Sequence, residues 1–319
     1  MRIDIDGKLR SPSTGKTRDV IRSSVTALTD VQDGDASHLG LLDASHSVRA
    51  AACIYCSAPG TSDEHAIPYA WGGTVQIFRG SCDDCRGTTS RFEGFTLNDG
   101  GMTNARWKMG LPSRSRHKSA PKTVGVVTID KDGRSAPLEV ETEQAPVIVG
   151  FPIFSPPGLL SGDHHLNLKL DGLQPLVFCD DAEGFMRRLG AEVLRVTETD
   201  KDPVAFAQTI AKIAYCCAWC AGVLEFLDST GDLVRAFMRE PDRLGLFVGA
   251  KPSPPERFSN LDFRVLYRPD HLGLLVAEVQ PFPRLAAPTY LVVLGHLPSL
   301  RAWRQIRSVL KRYQLPAVA

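Results

Sequence analysis

Two Cys-x-x-Cys pairs, Cys53-Ile54-Tyr55-Cys56 and Cys82-Asp83-Asp84-Cys85, stand with 25 residues between them. Each spacing puts two sulfurs on one tight turn, where backbone amides screen thiolate charge. Two such turns brought together make a tetrahedral four-sulfur cage, the closed shell that structural zinc prefers. The plainer alternative is four coincidental buried thiols. The chain has 8 cysteines, and the others are Cys179, Cys216, Cys217 and Cys220. A disulfide framework is not expected in a chain of this size whose start, Met1-Arg2-Ile3-Asp4, lacks a signal peptide's apolar core. Cys217 and Cys220 form a third Cys-x-x-Cys pair, but inside a strongly apolar helical pattern, so core packing is the expected use.

The loop between the two pairs holds the reactive groups. It reads Ser62-Asp63-Glu64-His65-Ala66-Ile67-Pro68, then Gly72-Gly73, and the second pair runs into Thr88-Thr89-Ser90-Arg91-Phe92-Glu93. Histidine can accept a proton near neutrality, and a carboxylate suits a hard divalent cation. This layout resembles the HNH endonuclease family, in the branch stapled by four cysteines, over residues 53–116. The resemblance implies a small zinc-bound ββα-metal finger with Zn²⁺ as structural ion and Mg²⁺ or another divalent cation as catalytic ion. It implies His65 as general base and Glu64 as ligand of the catalytic cation. The reaction would be metal-dependent phosphodiester hydrolysis of nucleic acid, with DNA as the default substrate.

Two departures qualify that expectation. Family members often carry His or Asn directly after the last cysteine; here the position is Arg86, and a guanidinium cannot ligate a cation. The middle Asn has no clear counterpart, Gln76 lying nearest. Arg86 can instead hold a substrate phosphate, and Glu93, two helical turns on, can supply an oxygen to the metal. The alternative reading is a catalytically silent zinc-binding module for nucleic acid or protein.

From Met102 to Lys122 six basic residues occur with no Asp or Glu: Arg106, Lys108, Arg114, Arg116, Lys118 and Lys122. Such runs are usually solvated linkers. Following a nuclease-like finger, Arg114, Arg116 and Lys118, with Arg86 and Arg91 on the finger, become candidates for phosphate contact.

The elements that must position these groups follow from pattern. The chain has 319 residues, 43% apolar and 23% charged, with a net charge of +1. It can bury a core, and global charge drives neither nucleic-acid nor membrane binding. The longest uncharged apolar stretch, Ile213 to Leu224, is short of a membrane span. The expectation is a cytoplasmic α+β protein in three parts. Residues 1–50 read as a poorly ordered leader, 51–122 as the finger with its basic extension, and 123–319 as a larger mixed α+β domain of unassigned role. A third reading makes that domain a sensor of a regulatory partner or ligand. Strands are expected at 124–129, 146–153, 166–170, 176–178, 244–248, 263–267, 273–279 and 290–294, and helices at 182–194, 203–227 and 300–310.

Overall fold

The computed structural model of the chain describes residues 2–3, 8–10, 37–39, 47–98, 100–108, 123–163, 165–178, 182–191, 193–196, 202–251, 263–283 and 286–311. Three short strands come from the N-terminal segment: β1 (Arg2–Ile3), β2 (Lys8–Arg10) and β3 (Ser37–Leu39). The finger follows as β4 (Val48–Arg49), β5 (Ser62–His65), β6 (Gln76–Ser81), α1 (Asp83–Asn98) and α2 (Gly100–Lys108). The remainder opens with β7 (Thr123–Ile129), β8 (Ser135–Glu141), β9 (Val147–Phe154), α3 (Gly158–Ser161) and β10 (Leu170–Phe178). It continues with α4 (Ala182–Arg188), β11 (Val193–Val196), α5 (Pro203–Cys220) and α6 (Gly231–Met238). It closes with β12 (Val248–Lys251), β13 (Phe263–Pro269), β14 (Leu274–Pro281), β15 (Thr289–His296) and α7 (Leu300–Leu310). The fold is mixed α+β: a small cysteine-stapled ββα unit set against a larger α+β body.

The described strands form four sheets, in the orders β4-β6-β5, β10-β9, β1-β2-β11-β7-β8 and β12-β15-β14-β13-β3. Among the described strands all pairings are antiparallel except β4 with β6. Residues 1–50, expected as a poorly ordered leader, contribute the described strands β1 to β4 to the edges of three of these sheets. The strand expected at 176–178 is the end of a longer one, β10, which starts at Leu170 with a register shift between Leu170 and Gly172, while residues 166–169, expected as strand, are not.

The long helix α5 organises the molecule. Asp202 caps it, its carboxylate accepting from the amides of Val204 and Ala205, and Pro203 occupies the first turn. It ends at Cys220 rather than 227, because Gly222 adopts φ 68°, the left-handed turn that stops a helix. Nearly every face of it is buried, so an amphipathic stripe understates its role. The strand expected at 244–248 begins only at Val248, because residues 241–246 form a 3-10 turn before β12.

One hydrophobic core runs through both the finger and the body. It joins Trp71, Ile77 and Phe92 of the finger to Phe151, Phe206, Ile210 and Tyr290. The Trp71 ring meets the edges of Phe206 at 6.3 Å and Phe282 at 6.4 Å, and its indole N–H points at the Met102 sulfur. A small second cluster around Val126, Ala145, Phe185 and Met186 serves the β7–β8 sheet. No described helix is long and apolar enough to cross a membrane.

Candidate metal centre and the carboxylate cleft behind it

The first Cys-x-x-Cys pair lies on a knuckle between β4 and β5. Ser57, directly after Cys56, takes φ 62°, which lets its amide turn back onto the Cys53 carbonyl at 2.9 Å. The second pair straddles the start of α1, where the Arg86 amide bonds the Cys82 carbonyl. β6 delivers Cys82 next to the knuckle, since the Ile54 amide bonds the Gly80 carbonyl. All four sulfurs then lie within 4.8 Å of one another. The Cys56 and Cys82 sulfurs are 3.7 Å apart. That is far beyond a disulfide and close to the edge, about 3.8 Å, of a tetrahedron with Zn–S bonds of about 2.3 Å. The donor set therefore fits a metal ion such as zinc. The Cys85 amide holds the Cys82 thiol below its ordinary pKa, while burial pushes Cys85 up. A cavity of about 320 Å³ opens against the Cys56–Cys85 edge, between Tyr55, Tyr215, Arg235 and Arg239.

The Gly-Gly of the motif has a steric reason. Gly72 sits at φ 84° in the turn after Trp71, and a Cβ on Gly73 would lie 1.9 Å from the Ile67 carbonyl oxygen. The chain can thus fold back from Pro68 into β6, fixing β5 beside it. Glu64 pairs with Ile77 and His65 with Gln76 across β5–β6. Consecutive strand residues face opposite ways, so Glu64 is buried toward α1 while His65 is half-buried. The imidazole of His65 lies 5.6 Å from the Tyr69 ring.

Glu64 and Glu93, separated by 29 residues in sequence, converge where β5 meets α1. Thr89, one turn before Glu93 on α1, brings its hydroxyl to 3.5 Å from Glu64 Oε2. Between the two carboxylates lies the Lys212 ammonium, delivered by α5. Its Nζ is 2.8 Å from Glu64 Oε1 and 2.8 Å from Glu93 Oε1, and it also donates to the His65 backbone carbonyl. The Lys212 side chain is 0% exposed. Burial pulls its pKa down, but Glu64 and then Glu93 more than offset this, so the ammonium stays charged well above the ordinary lysine value. Around it, Thr96 bonds Thr209 at 3.0 Å and the Tyr215 hydroxyl donates to the Ile54 carbonyl at 2.7 Å.

This arrangement does not fit a divalent ion at Glu64 and Glu93. Mg²⁺ needs near-octahedral oxygens at about 2.0–2.1 Å, and the place where those two carboxylates meet is taken by an ammonium. Sequence reasoning missed Lys212 because it lies far along the chain from the motif. One signal was present: it is the only charged residue between Asp202 and Glu225, in an otherwise apolar helix. A lone buried charge must find a partner.

No family model, curated protein or solved structure matches the chain. Its own geometry is what carries a reading. Among the basic residues, Arg86 is exposed and paired with Asp83 at 3.1 Å, one turn earlier on α1. Its side chain is 57% exposed. Arg91 is exposed on the same helix. Arg106 and Lys108 are engaged at home, donating to the carbonyls of Leu97 and Ala145. Arg114, Arg116, Lys118 and Lys122 lie outside the described residues, as does Cys179. Cys216, Cys217 and Cys220 are buried in α5, as expected of core thiols.

Proposed function

We propose that the chain is a zinc-stapled ββα module that holds nucleic acid by its phosphate backbone and does not hydrolyse it with a divalent metal. Under this reading Cys53, Cys56, Cys82 and Cys85 hold one Zn²⁺, which makes the small finger rigid. Arg86 and Arg91, exposed on α1, offer guanidinium groups to phosphate, with Arg114, Arg116 and Lys118 as further contacts. A cytoplasmic location, where thiols stay reduced and free to hold zinc, belongs to the same reading. The observation that carries the silent half of the proposal is the Lys212 ammonium bonded to both Glu64 and Glu93. The test is retention of a DNA duplex by the zinc-loaded chain, with the duplex recovered and sized afterwards. Salt-sensitive retention of intact DNA supports the reading, and absence of retention at low salt refutes it.

A second reading is favoured by a different observation. Glu64 and His65 end strand β5 and Glu93 lies on the helix that begins at the second cysteine pair, and these are the residues that the resemblance to the HNH endonucleases offers for metal-dependent chemistry. In that case the His65 imidazole would take the proton from the attacking water, and Arg86 would draw the phosphate in. Nicking of plasmid that needs Mg²⁺ and disappears in His65→Ala would establish this reading over the first.

A further inference from the structure

Three oxygen-bearing side chains of the finger meet where β5 packs on α1: Glu64 from β5, and Thr89 and Glu93 four residues apart on α1. Such a meeting asks for a cation, because two carboxylates in one buried place repel each other unless a positive charge lies between them. The chain meets the demand from its own body. Lysine offers three N–H donors, and the Lys212 ammonium finds three acceptors here: Glu64 Oε1, Glu93 Oε1 and the His65 carbonyl. The side chain cannot withdraw to solvent, since α5 is buried along almost its whole length and is bonded to the finger on both sides of Lys212, at Thr209 and at Tyr215.

We propose that Lys212 is a resident cation standing where a ββα-metal finger would hold its divalent ion, so that the side chain at position 212 decides whether this cleft takes metal. With the ammonium in place the cleft is closed to Mg²⁺ and Mn²⁺. With a short neutral residue there, Glu64 and Glu93 are left with unbalanced charge around the space the ammonium vacates, with the Thr89 hydroxyl beside it, and a divalent ion can take its place. This deepens the silent reading above, and rests on it only in treating Glu64 and Glu93 as the cleft that catalysis would have used. It also gives the charge pair a second task, because the bonds of Lys212 tie the finger to α5.

The experiment is Mn²⁺ binding by electron paramagnetic resonance on the full zinc-loaded chain, with no nucleic acid present. The proteins are the wild type, Glu64→Gln, Lys212→Ala and the double variant Lys212→Ala/Glu93→Gln. The wild type should bind no more Mn²⁺ than Glu64→Gln. Lys212→Ala should bind one Mn²⁺ per chain, displaceable by Mg²⁺, and the double variant should lose it. Folding of each variant is read from retained zinc and circular dichroism. Stoichiometric Mn²⁺ in the wild type that vanishes in Glu64→Gln would overturn the proposal, as would a folded Lys212→Ala that binds none. If Lys212→Ala does not fold, the comparison of wild type with Glu64→Gln decides alone. Because the readout involves no DNA, its failure is distinct from a failure to retain DNA.

Discussion

The two ends of one helix solve the same electrostatic problem in opposite ways. At the start of α1, Cys82 and Cys85 join Cys53 and Cys56 in a partly exposed cluster of four thiols. Its charge balance is left to an ion from solution. Two turns on, Glu93 joins Glu64 in a buried cleft, and there the chain supplies the charge itself through Lys212. A cluster that can collect an ion after folding needs only local spacing. A cleft sealed by a long-range partner needs the whole core to be assembled first.

The comparison breaks most sharply at the cysteines. Cys82→Ser should release the bound zinc and unfold the finger, since apparent zinc binding in such sites is worth about 10–16 kcal/mol. Zinc content and far-ultraviolet circular dichroism check this, and stoichiometric zinc retained in the variant would sink the four-cysteine assignment. Because the finger shares its core with α5 and β15, the body should also lose stability, seen as a lower thermal midpoint.

The next largest effect belongs to Lys212. Lys212→Met leaves two buried carboxylates without their cation and should cost about 3–5 kcal/mol. Adding Glu64→Gln and Glu93→Gln should restore much of that loss, because a neutral cleft has no charge to strand. Denaturant titration of the series measures the coupling, and simple additivity would mean that the three do not act as a unit. The cysteine variant should respond to added zinc and the lysine variant should not, which separates the two regions directly.

A third test sharpens the chemical contrast. Under the silent reading, His65→Ala leaves zinc content and DNA retention unchanged. Under the nuclease reading it lowers a metal-dependent cleavage rate by about 10²–10⁴. A time course of plasmid nicking distinguishes them.

The smallest effect lies in the body, where Glu278 receives Lys251 at 2.9 Å and Arg268 at 2.6 Å. Burial raises its pKa, but these cations outweigh burial and hold it below the ordinary carboxylate value. A depressed carboxylate stabilises the fold above its unfolded pKa and loses that contribution as pH falls through its folded pKa. Glu278→Gln should therefore lower stability at neutral pH and flatten the acid side of the stability curve below about pH 4.5. Acid titrations of the two proteins that superimpose would remove Glu278 from the account.

How much of this was legible in the sequence follows the same division. The cysteine cluster was legible because its ligands come as two local pairs, and β6 needs only to bring one turn beside the other. Helical spacing after Cys85 singled out Glu93, but as an oxygen ligand for a metal, whereas it meets the Lys212 ammonium. Lys212 was not legible, because 119 residues and the packing of α5 against α1 separate it from Glu93. Arg86 was legible only as a departure; its pairing with Asp83 at i,i+3 depends on which way an exposed side chain turns. Strand β8 was missed because Ser135–Glu141 is almost wholly exposed and carries Pro137, so no apolar alternation marks it.

The contrast between an ion-collecting corner and a self-balanced one is tested most directly by elemental analysis of the full chain after equilibration with zinc and then with excess Mn²⁺ and desalting. The account predicts one zinc per chain and no stoichiometric manganese. A chain that holds manganese in equal amount, and loses it when Glu64 becomes Gln, would contradict it.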